Sequence, residues 1–272
     1  FESCSNPTGR MFDWDLLGVL RTHSPGCLFV ADNTWTSACG MNPIKLGADI
    51  SVESMTKYNS GGEHIGGFVV GNNTAMAPIL GWSRLTGIHI DAHTCREFCR
   101  LLDGLPDRTA RSSVTTRAVV LWLKKKQSEF KNQGLHVLGP IYHPIMEIHP
   151  SHDVFTRSAN GDVVPSCFRF FVNMSREKME EASPFPIKTS YGGPDTRIDI
   201  YSFRGTVNNK RRIIRHEPHK TQYGESHNIP PKTVGMWVRL SVGYNDSVEF
   251  VTSGLGRMFE HVIQDAQTAV SE

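Results

Sequence analysis

The first half of the chain alternates helical patterns with short apolar runs, and this alternation restricts the fold more than any other feature of the sequence. Apolar residues recur at helical spacing over residues 11–22, which predicts a buried helix that ends at Pro25 and Gly26. Short apolar runs at 27–31, 48–53 and 68–71 predict strands. Because helices between strands favour parallel crossover connections, we expect an α/β layer with parallel strands.

The pattern changes after Gly134. Before it, residues 91–102 predict a helix with Asp91 as its N-cap, and residues 108–130 predict a long amphipathic helix. Beyond it, loops rich in Pro, Gly and His separate shorter elements, which are predicted as strands at 135–138, 167–173 and 236–244 and helices at 175–182 and 248–269. We therefore divide the chain into a larger domain, 1–117, and a smaller α+β domain, 118–272, with a long connecting helix at about 108–131.

Composition and charge argue against several classes of function. The 272 residues carry a net charge of +2, so we expect neither nucleic acid nor a membrane surface as a partner. No apolar run in the sequence approaches the roughly 18 residues that span a bilayer. The six cysteines form neither a CxxC pair nor a dense disulfide framework, which favours a reducing, cytoplasmic location.

Polar residues follow the first two predicted strands. Asp32 comes directly after strand 27–31, and Ser54, Thr56 and Lys57 follow the next strand, just before a glycine-rich loop. The carboxyl ends of parallel strands share one edge of a sheet, and ligands bind in the crevice outside that edge. We therefore expect one acid, two hydroxyls and one lysine to converge there.

A lysine and a carboxylate that converge suit pyridoxal 5'-phosphate (PLP), although each residue type also has an ordinary alternative. PLP uses a lysine for its Schiff base, a carboxylate that keeps its pyridine nitrogen protonated, and hydroxyl or backbone donors for its phosphate. A lone lysine after a strand is more often a surface residue, and a lone aspartate there is more often a turn or cap residue. The spacing by itself leaves both interpretations open.

Several linked motifs resemble the Cys/Met-metabolism family of PLP-dependent enzymes, the transsulfuration enzymes. In the family's order, the motifs are ESCSNPTGRMFD, VADNTW, NPIKLGADISVESMTKYNSGGEHIGG, RLLDGLPDR, YHP and WVRLSVG. The likeness spans essentially the whole chain. It implies an α/β type I PLP-dependent transferase fold, with a parallel-rich, three-layer large domain that is incomplete at its N-terminus and a smaller C-terminal α+β domain.

The resemblance assigns cofactor roles to single residues. Lys57 would form the Schiff base and shuttle protons. Asp32 would pair with the pyridine nitrogen, and Asn6 would lie near the 3-hydroxyl side of the ring. Ser54 and Thr56 would bind the cofactor phosphate.

The resemblance also assigns two substrate-binding residues. Arg239 would bind the α-carboxylate of an amino-acid substrate, a task that suits the planar guanidinium group. Ser202, aligned with the family's S-L-G element, would contact the same carboxylate. The segment 183–199 is unlike the family, so we expect substrate-side contacts to differ more than cofactor-side contacts.

The activity implied is that of a PLP-dependent carbon–sulfur lyase or transferase acting on a sulfur amino acid or an O-acylhomoserine. Cystathionine γ-synthase-like γ-replacement is the leading expectation, and cystathionine γ-lyase and O-acylhomoserine sulfhydrylase are the alternatives.

Because family members share active sites between subunits, we expect a homo-oligomer, a dimer or tetramer. The family's upstream motifs are absent, so we expect either a fragment of a longer enzyme or a truncated, non-catalytic homologue that acts as an assembly or regulatory subunit.

Three histidines raise the alternative of a metal site. His143, His149 and His152 lie close together in HPIMEIHPSH, and imidazole is a common zinc ligand. The sequence contains no HExxH motif, and the likeness to the family's YHP element accounts for the first histidine. We therefore expect no metal.

Overall fold

The computed structural model describes residues 1–201, 206–207, 210–211 and 235–271. In chain order, the strands are β1 (Val30–Asp32), β2 (Ile50–Ser54), β3 (Gly67–Gly71), β4 (Leu138–Tyr142), β5 (Cys167–Val172), β6 (Arg197–Tyr201), β7 (Thr206–Val207), β8 (Lys210–Arg211) and β9 (Met236–Ser241). The helices are α1 (Leu16–His23), α2 (Ser37–Gly40), α3 (Asn73–Thr86), α4 (Ala92–Asp103), α5 (Leu105–Asn132), α6 (His152–Ser158), α7 (Arg176–Ala182) and α8 (Val248–Ser271). A π-helical segment, Met55–Asn59, follows β2, and β7 pairs with β8 in a separate ribbon.

The first sheet has the strand order β1-β2-β3. β1 pairs with β2 in parallel, with Val30 opposite Ile50 and Asp32 opposite Val52, as the alternation predicts. β3 pairs with β2 antiparallel, so the expectation of a further parallel strand is wrong for β3. The connection explains the difference, because the π-helical segment and the glycine loop reverse the chain without the crossover helix that a parallel return needs.

The second sheet is antiparallel and has the order β4-β5-β9-β6. Successive side chains of a strand point to opposite faces of the sheet. On one face, Phe168, Phe170 and Leu240 enter the main hydrophobic core, to which α5 and α8 also contribute. The opposite face carries Arg239, whose guanidinium reaches Asn6 near the start of the chain. This face is therefore directed towards the first half of the molecule.

Helix α5 joins the two halves. Its first residue, Leu105, belongs to an apolar cluster that also contains Ala31 of β1. Further along, Val119 and Leu123 are fully buried in the main core. Because one uninterrupted helix contributes to both clusters, the division between residues 117 and 118 falls inside α5 and stays a prediction.

The ends of several elements follow local chemistry. Side-chain oxygens of Asp91 and Ser175 accept backbone N–H groups at the starts of α4 and α7, so the N-cap predicted for Asp91 is confirmed. α5 begins at Leu105 rather than at 108, because Pro106 lies in its first turn, where a missing N–H has no cost. β4 begins at Leu138, the residue at which the predicted strand ends.

Helix α1 is shorter and more exposed than its sequence pattern predicts. It begins at Leu16 rather than at residue 11, and only Leu17 among its residues is buried. Val19 and Leu20 are exposed, as is Trp82 on α3, so both helices display apolar side chains. Among the described helices, none is long and apolar enough to cross a membrane.

The burial of α5 predicts a position-dependent cost of truncation. Leu123→Ala removes a fully buried side chain from the main core, so we expect it to lower the free energy of unfolding by about 2–5 kcal/mol. Leu121→Ala, at a position of the same helix that is 59% exposed, is the matched control, and its effect should stay within about 0.5 kcal/mol. Urea unfolding followed by tryptophan fluorescence measures both. Equal effects of the two substitutions would contradict the packing of α5.

Candidate functional site

A cavity of about 270 Å³ opens where β1 and β2 end. Its lining residues are Glu2, Cys4, Asn6, Asp32, Thr34, Trp35, Ser54, Lys57, Thr189 and Tyr191. Four of the residues singled out in the sequence are among them, namely Asn6, Asp32, Ser54 and Lys57. The structure therefore brings an acid, an amide, a hydroxyl and an amine to one cavity.

The parallel pairing of β1 with β2 produces this convergence. Asp32 is the last residue of β1 and Ser54 is the last residue of β2, so both lie at the same edge of the sheet. Thr34 links the two strand ends. Its N–H donates to Asp32 Oδ1 at 2.9 Å, and its Oγ1 accepts the Ser54 N–H at 3.0 Å. These bonds hold the two predicted residues in a common frame.

Lys57 lies in the π-helical segment Met55–Asn59, where its backbone leaves helical geometry (φ −107°, ψ −130°). Ser54 Oγ caps this segment by accepting the Thr56 N–H at 3.1 Å. After the lysine, Arg108 of α5 donates from Nη2 to the carbonyl of Asn59 at 2.8 Å. Thr56 is not among the residues that line the cavity, so a direct contact of Thr56 with a phosphate stays a prediction.

The buried carboxylate of Glu53 is hydrogen-bonded to the lysine segment. Glu53 Oε1 accepts from Asn33 Nδ2 at 2.9 Å, and Glu53 Oε2 accepts from Asn59 Nδ2 at 3.0 Å. Burial raises the pKa of Glu53, and the two amide donors act against this rise. These hydrogen bonds connect Asn33 after β1, Glu53 of β2 and Asn59 at the end of the lysine segment. The network therefore restrains the backbone that carries Lys57.

The surroundings of Lys57 disfavour its charged form. Burial lowers the pKa of the Lys57 amine, and the nearby guanidinium of Arg239 lowers it further. Its Nζ lies 5.2 Å from the centroid of the Tyr191 ring, within the range of a cation–π contact. A lowered pKa leaves a larger share of the amine neutral, and the neutral amine is the nucleophilic form.

Arg239 is brought beside Asn6 on the cavity wall. Its Nη1 donates to Asn6 Oδ1 at 3.1 Å, and its Nη2 donates to the carbonyl of Thr189. The same Nη2 lies 3.1 Å from Oδ2 of Asp199 on the neighbouring strand. Arg239 itself is not among the residues that line the cavity, but it contacts two that are, Asn6 and Thr189, and it already has acidic and carbonyl partners.

Sequence reasoning missed Thr189 and Tyr191, which line the cavity. Ser202, the serine predicted to contact the substrate, lies outside the described residues. The family's S-L-G element, in which a glycine follows two residues after a serine, is matched by SYG at residues 190–192, and this match is the signal that could have found the loop. Gly192 has φ +77°, and a Cβ there would come 2.6 Å from the Tyr58 backbone nitrogen, so the loop packs closely against the lysine segment.

The three histidines have separate backbone partners. His143 Nε2 contacts the Pro165 carbonyl at 3.0 Å, and His149 Nε2 contacts the Thr8 carbonyl at 3.0 Å. His152 Nδ1 contacts another carbonyl at 2.9 Å. Burial lowers the pKa of His143 to about 3, so its ring is neutral at ordinary pH. Within the described ranges, no group of three or more His, Cys, Asp or Glu residues could hold a metal ion.

Comparison with known proteins gives one family and one fold. The sequence profile of the family described as Cys/Met metabolism PLP-dependent enzyme matches residues 1–251. The chain is 25% identical to the L-methionine gamma-lyase of Fusobacterium nucleatum subsp. polymorphum, over 96% of this chain and 61% of that protein. It is 29% identical to the O-succinylhomoserine sulfhydrylase of Pseudomonas aeruginosa, over 59% of this chain and 38% of that protein.

Solved structures share the fold. The methionine gamma lyase of Micromonospora echinospora superimposes with a TM-score of 0.72 at 24% identity, over 95% of this chain and 62% of that chain. The predicted fold class, an α/β type I PLP-dependent transferase fold with a smaller α+β part, is confirmed. The chain spans less than two thirds of the length of these relatives.

The electrostatics of Lys57 predict a measurable response to the loss of its cationic neighbour. Because Arg239 disfavours a second positive charge, we expect Arg239→Met to raise the pKa of Lys57 towards that of an ordinary lysine. The pKa is read from the ¹³C NMR resonance of the reductively methylated amine across the alkaline range, and Lys57→Arg identifies that resonance by its loss. Arg111→Met removes an exposed guanidinium paired with Asp107 and serves as the control. An unchanged or lower pKa in Arg239→Met would show that Arg239 does not act on the amine.

Proposed function

We propose, because the chain belongs to the Cys/Met metabolism PLP-dependent enzyme family, that its cavity holds PLP and serves a transsulfuration reaction. The observation that carries this proposal is that Lys57 and Asp32 line one cavity at the carboxyl edge of a parallel strand pair. PLP enzymes need these two groups together, the amine to bind the aldehyde and the carboxylate to face the pyridine nitrogen.

The residues of the cavity fit this cofactor. The cavity volume of about 270 Å³ is close to the lower end of the roughly 300–1,000 Å³ that ligand pockets occupy. Trp35 and Tyr191 supply aromatic walls, with ring centroids 5.0 Å apart. Lys57 offers an amine of lowered pKa, and the Ser54 hydroxyl can donate a hydrogen bond to a phosphate.

The chain's own residues then have distinct tasks. Asp32 would hold a proton at the pyridine nitrogen, and Lys57 would bind the aldehyde and accept the proton of the substrate α-carbon at Nζ. When bound, PLP supplies an electron sink for the electron pair left when a bond to that carbon breaks. Arg239 orients the substrate carboxylate, and the buried Glu53 network fixes the lysine segment while this happens.

We propose γ-replacement, as in cystathionine γ-synthase, as the reaction, with cystathionine γ-lyase and O-acylhomoserine sulfhydrylase activities as alternatives. The relatives that match include an L-methionine gamma-lyase and an O-succinylhomoserine sulfhydrylase, so a sulfur amino acid or an acylated homoserine is the substrate class that the likeness supports. A homo-oligomer and a cytoplasmic location belong to the same proposal. The proposed location is supported by the spacing of the six cysteines, which form neither a CxxC pair nor a dense disulfide framework in the sequence.

A non-catalytic role is the second candidate. The exposed apolar side chains of Val19 and Leu20 on α1 and of Trp82 on α3 favour it, because such side chains suit contact with another polypeptide. In that role the chain would act as an assembly or regulatory subunit. Covalent trapping of the cofactor separates the two candidates.

We expect borohydride reduction of the chain mixed with PLP to leave a pyridoxyl group on Lys57, located by peptide mass spectrometry. Lys57→Ala should abolish this adduct. Lys45→Ala, which removes an exposed lysine shortly before β2, should leave the adduct at Lys57 unchanged. Asp32→Asn should keep the adduct at Lys57 and weaken the binding of PLP, because it removes the charge that holds the ring proton. An adduct at other lysines only, or none at all, would sink the catalytic proposal and favour the subunit role.

A further inference from the structure

A row of charged side chains crosses the second sheet. On central strand β9, Arg239 lies opposite Arg169 of β5 on one side and opposite Asp199 of β6 on the other. The three residues share one face of the sheet, the face turned towards the cavity. An acid therefore stands next to the arginine that, under the proposed function, would bind the substrate carboxylate.

The pair between Asp199 and Arg239 is largely shielded from water. The two side chains are 16% and 4% exposed, and Asp199 Oδ2 lies 3.1 Å from Nη2 of the arginine. Thr189, whose carbonyl accepts from the same Nη2, lines the cavity. The Asp199 carboxylate is thus held immediately behind the cavity wall.

The guanidinium of Arg239 is already engaged on both terminal nitrogens. Nη1 donates a hydrogen bond to Asn6 Oδ1, and Nη2 donates to both the Thr189 carbonyl and Asp199 Oδ2. A carboxylate binds arginine best through two parallel N–H···O bonds. A substrate carboxylate that approaches from the cavity must therefore share or displace contacts that the protein makes by itself.

A purely structural role for Asp199 is the alternative. Two arginines opposite each other on neighbouring strands repel, and an acid beside them offsets that repulsion. However, the Arg169 guanidinium lies over the rings of Tyr142 and Trp237, at 4.6 Å and 4.4 Å from their centroids. These aromatic faces stabilise the Arg169 charge without Asp199.

We propose that Asp199 is an internal carboxylate that competes with the carboxylate of an amino-acid substrate for Arg239. Asp199 thereby weakens the binding of amino acids relative to amines that lack a carboxylate, and it sets the selectivity of the site between these two classes. This inference rests on the proposed function, because that function makes Arg239 the carboxylate-binding residue. The physical reason is that the ion pair cancels much of the positive charge that a substrate carboxylate would meet in a nearly dry position.

The test compares two probes that differ only in the carboxylate. Dissociation constants of L-methionine and of its decarboxylated analogue, 3-(methylthio)propylamine, are measured by calorimetry on the PLP-treated chain. We expect Asp199→Asn to bind L-methionine about tenfold more tightly and to bind the amine as the unsubstituted chain does. Asp195→Asn, which removes the charge of an exposed aspartate just before β6, is the matched control and should change neither constant.

A second variant guards against misfolding. Asp199→Thr is uncharged and suits a strand, so it should give the same selective gain for L-methionine if the charge is what matters. Circular dichroism melting checks that each variant is folded. Equal affinity of the unsubstituted chain and both variants for L-methionine, or a parallel gain for the amine, overturns the competition.

The outcomes separate this inference from the proposed function. Borohydride trapping on the same proteins reports whether Lys57 holds PLP. An adduct at Lys57 without any selective gain in the Asp199 variants overturns the inference alone. A selective gain without an adduct supports the competition at Arg239 and rejects the cofactor. The absence of L-methionine binding in every protein overturns the inference.

Discussion

The parallel pairing of β1 with β2 is the constraint on which the rest of the site depends. It places the carboxyl ends of both strands at one edge, so that Asp32 and Ser54 border the same cavity and Thr34 bridges them. A shift of one residue in this register would turn every side chain of the shifted strand to the other face of the sheet. The chemistry proposed for Lys57 therefore depends on the backbone hydrogen bonds between the short strands β1 and β2.

Buried polar groups then convert that edge into a rigid site. Glu53 binds the amides of Asn33 and Asn59, while Arg108 holds the Asn59 carbonyl from α5. Each of these groups would be costly to bury without its partner, so the network favours a single arrangement of the lysine segment. Lys57 lines the cavity, and its Nζ lies 5.2 Å from the centroid of the Tyr191 ring on the same cavity.

Local patterns predicted the elements whose cause is local. The N-cap of Asp91, the run of β2 and the long helix α5 follow from short-range chemistry that one segment contains by itself. The predictions of a parallel β3 and of a helix that begins at residue 11 were wrong. The geometry of the connection decides the direction of β3, and packing against the rest of the chain decides where α1 begins. Where propensity and tertiary contact disagree, tertiary contact prevails.

The sequence by itself determined which residues could take part in the site, because strand ends, linked motifs and residue chemistry are local properties that pointed to Asp32, Lys57 and Arg239. Only the tertiary structure decided what surrounds them. The loop that carries Thr189 and the strand that carries Asp199 reach Arg239 through contacts between distant parts of the chain. The physical reason is that charge competition and pKa depend on distance and burial, which no local pattern specifies.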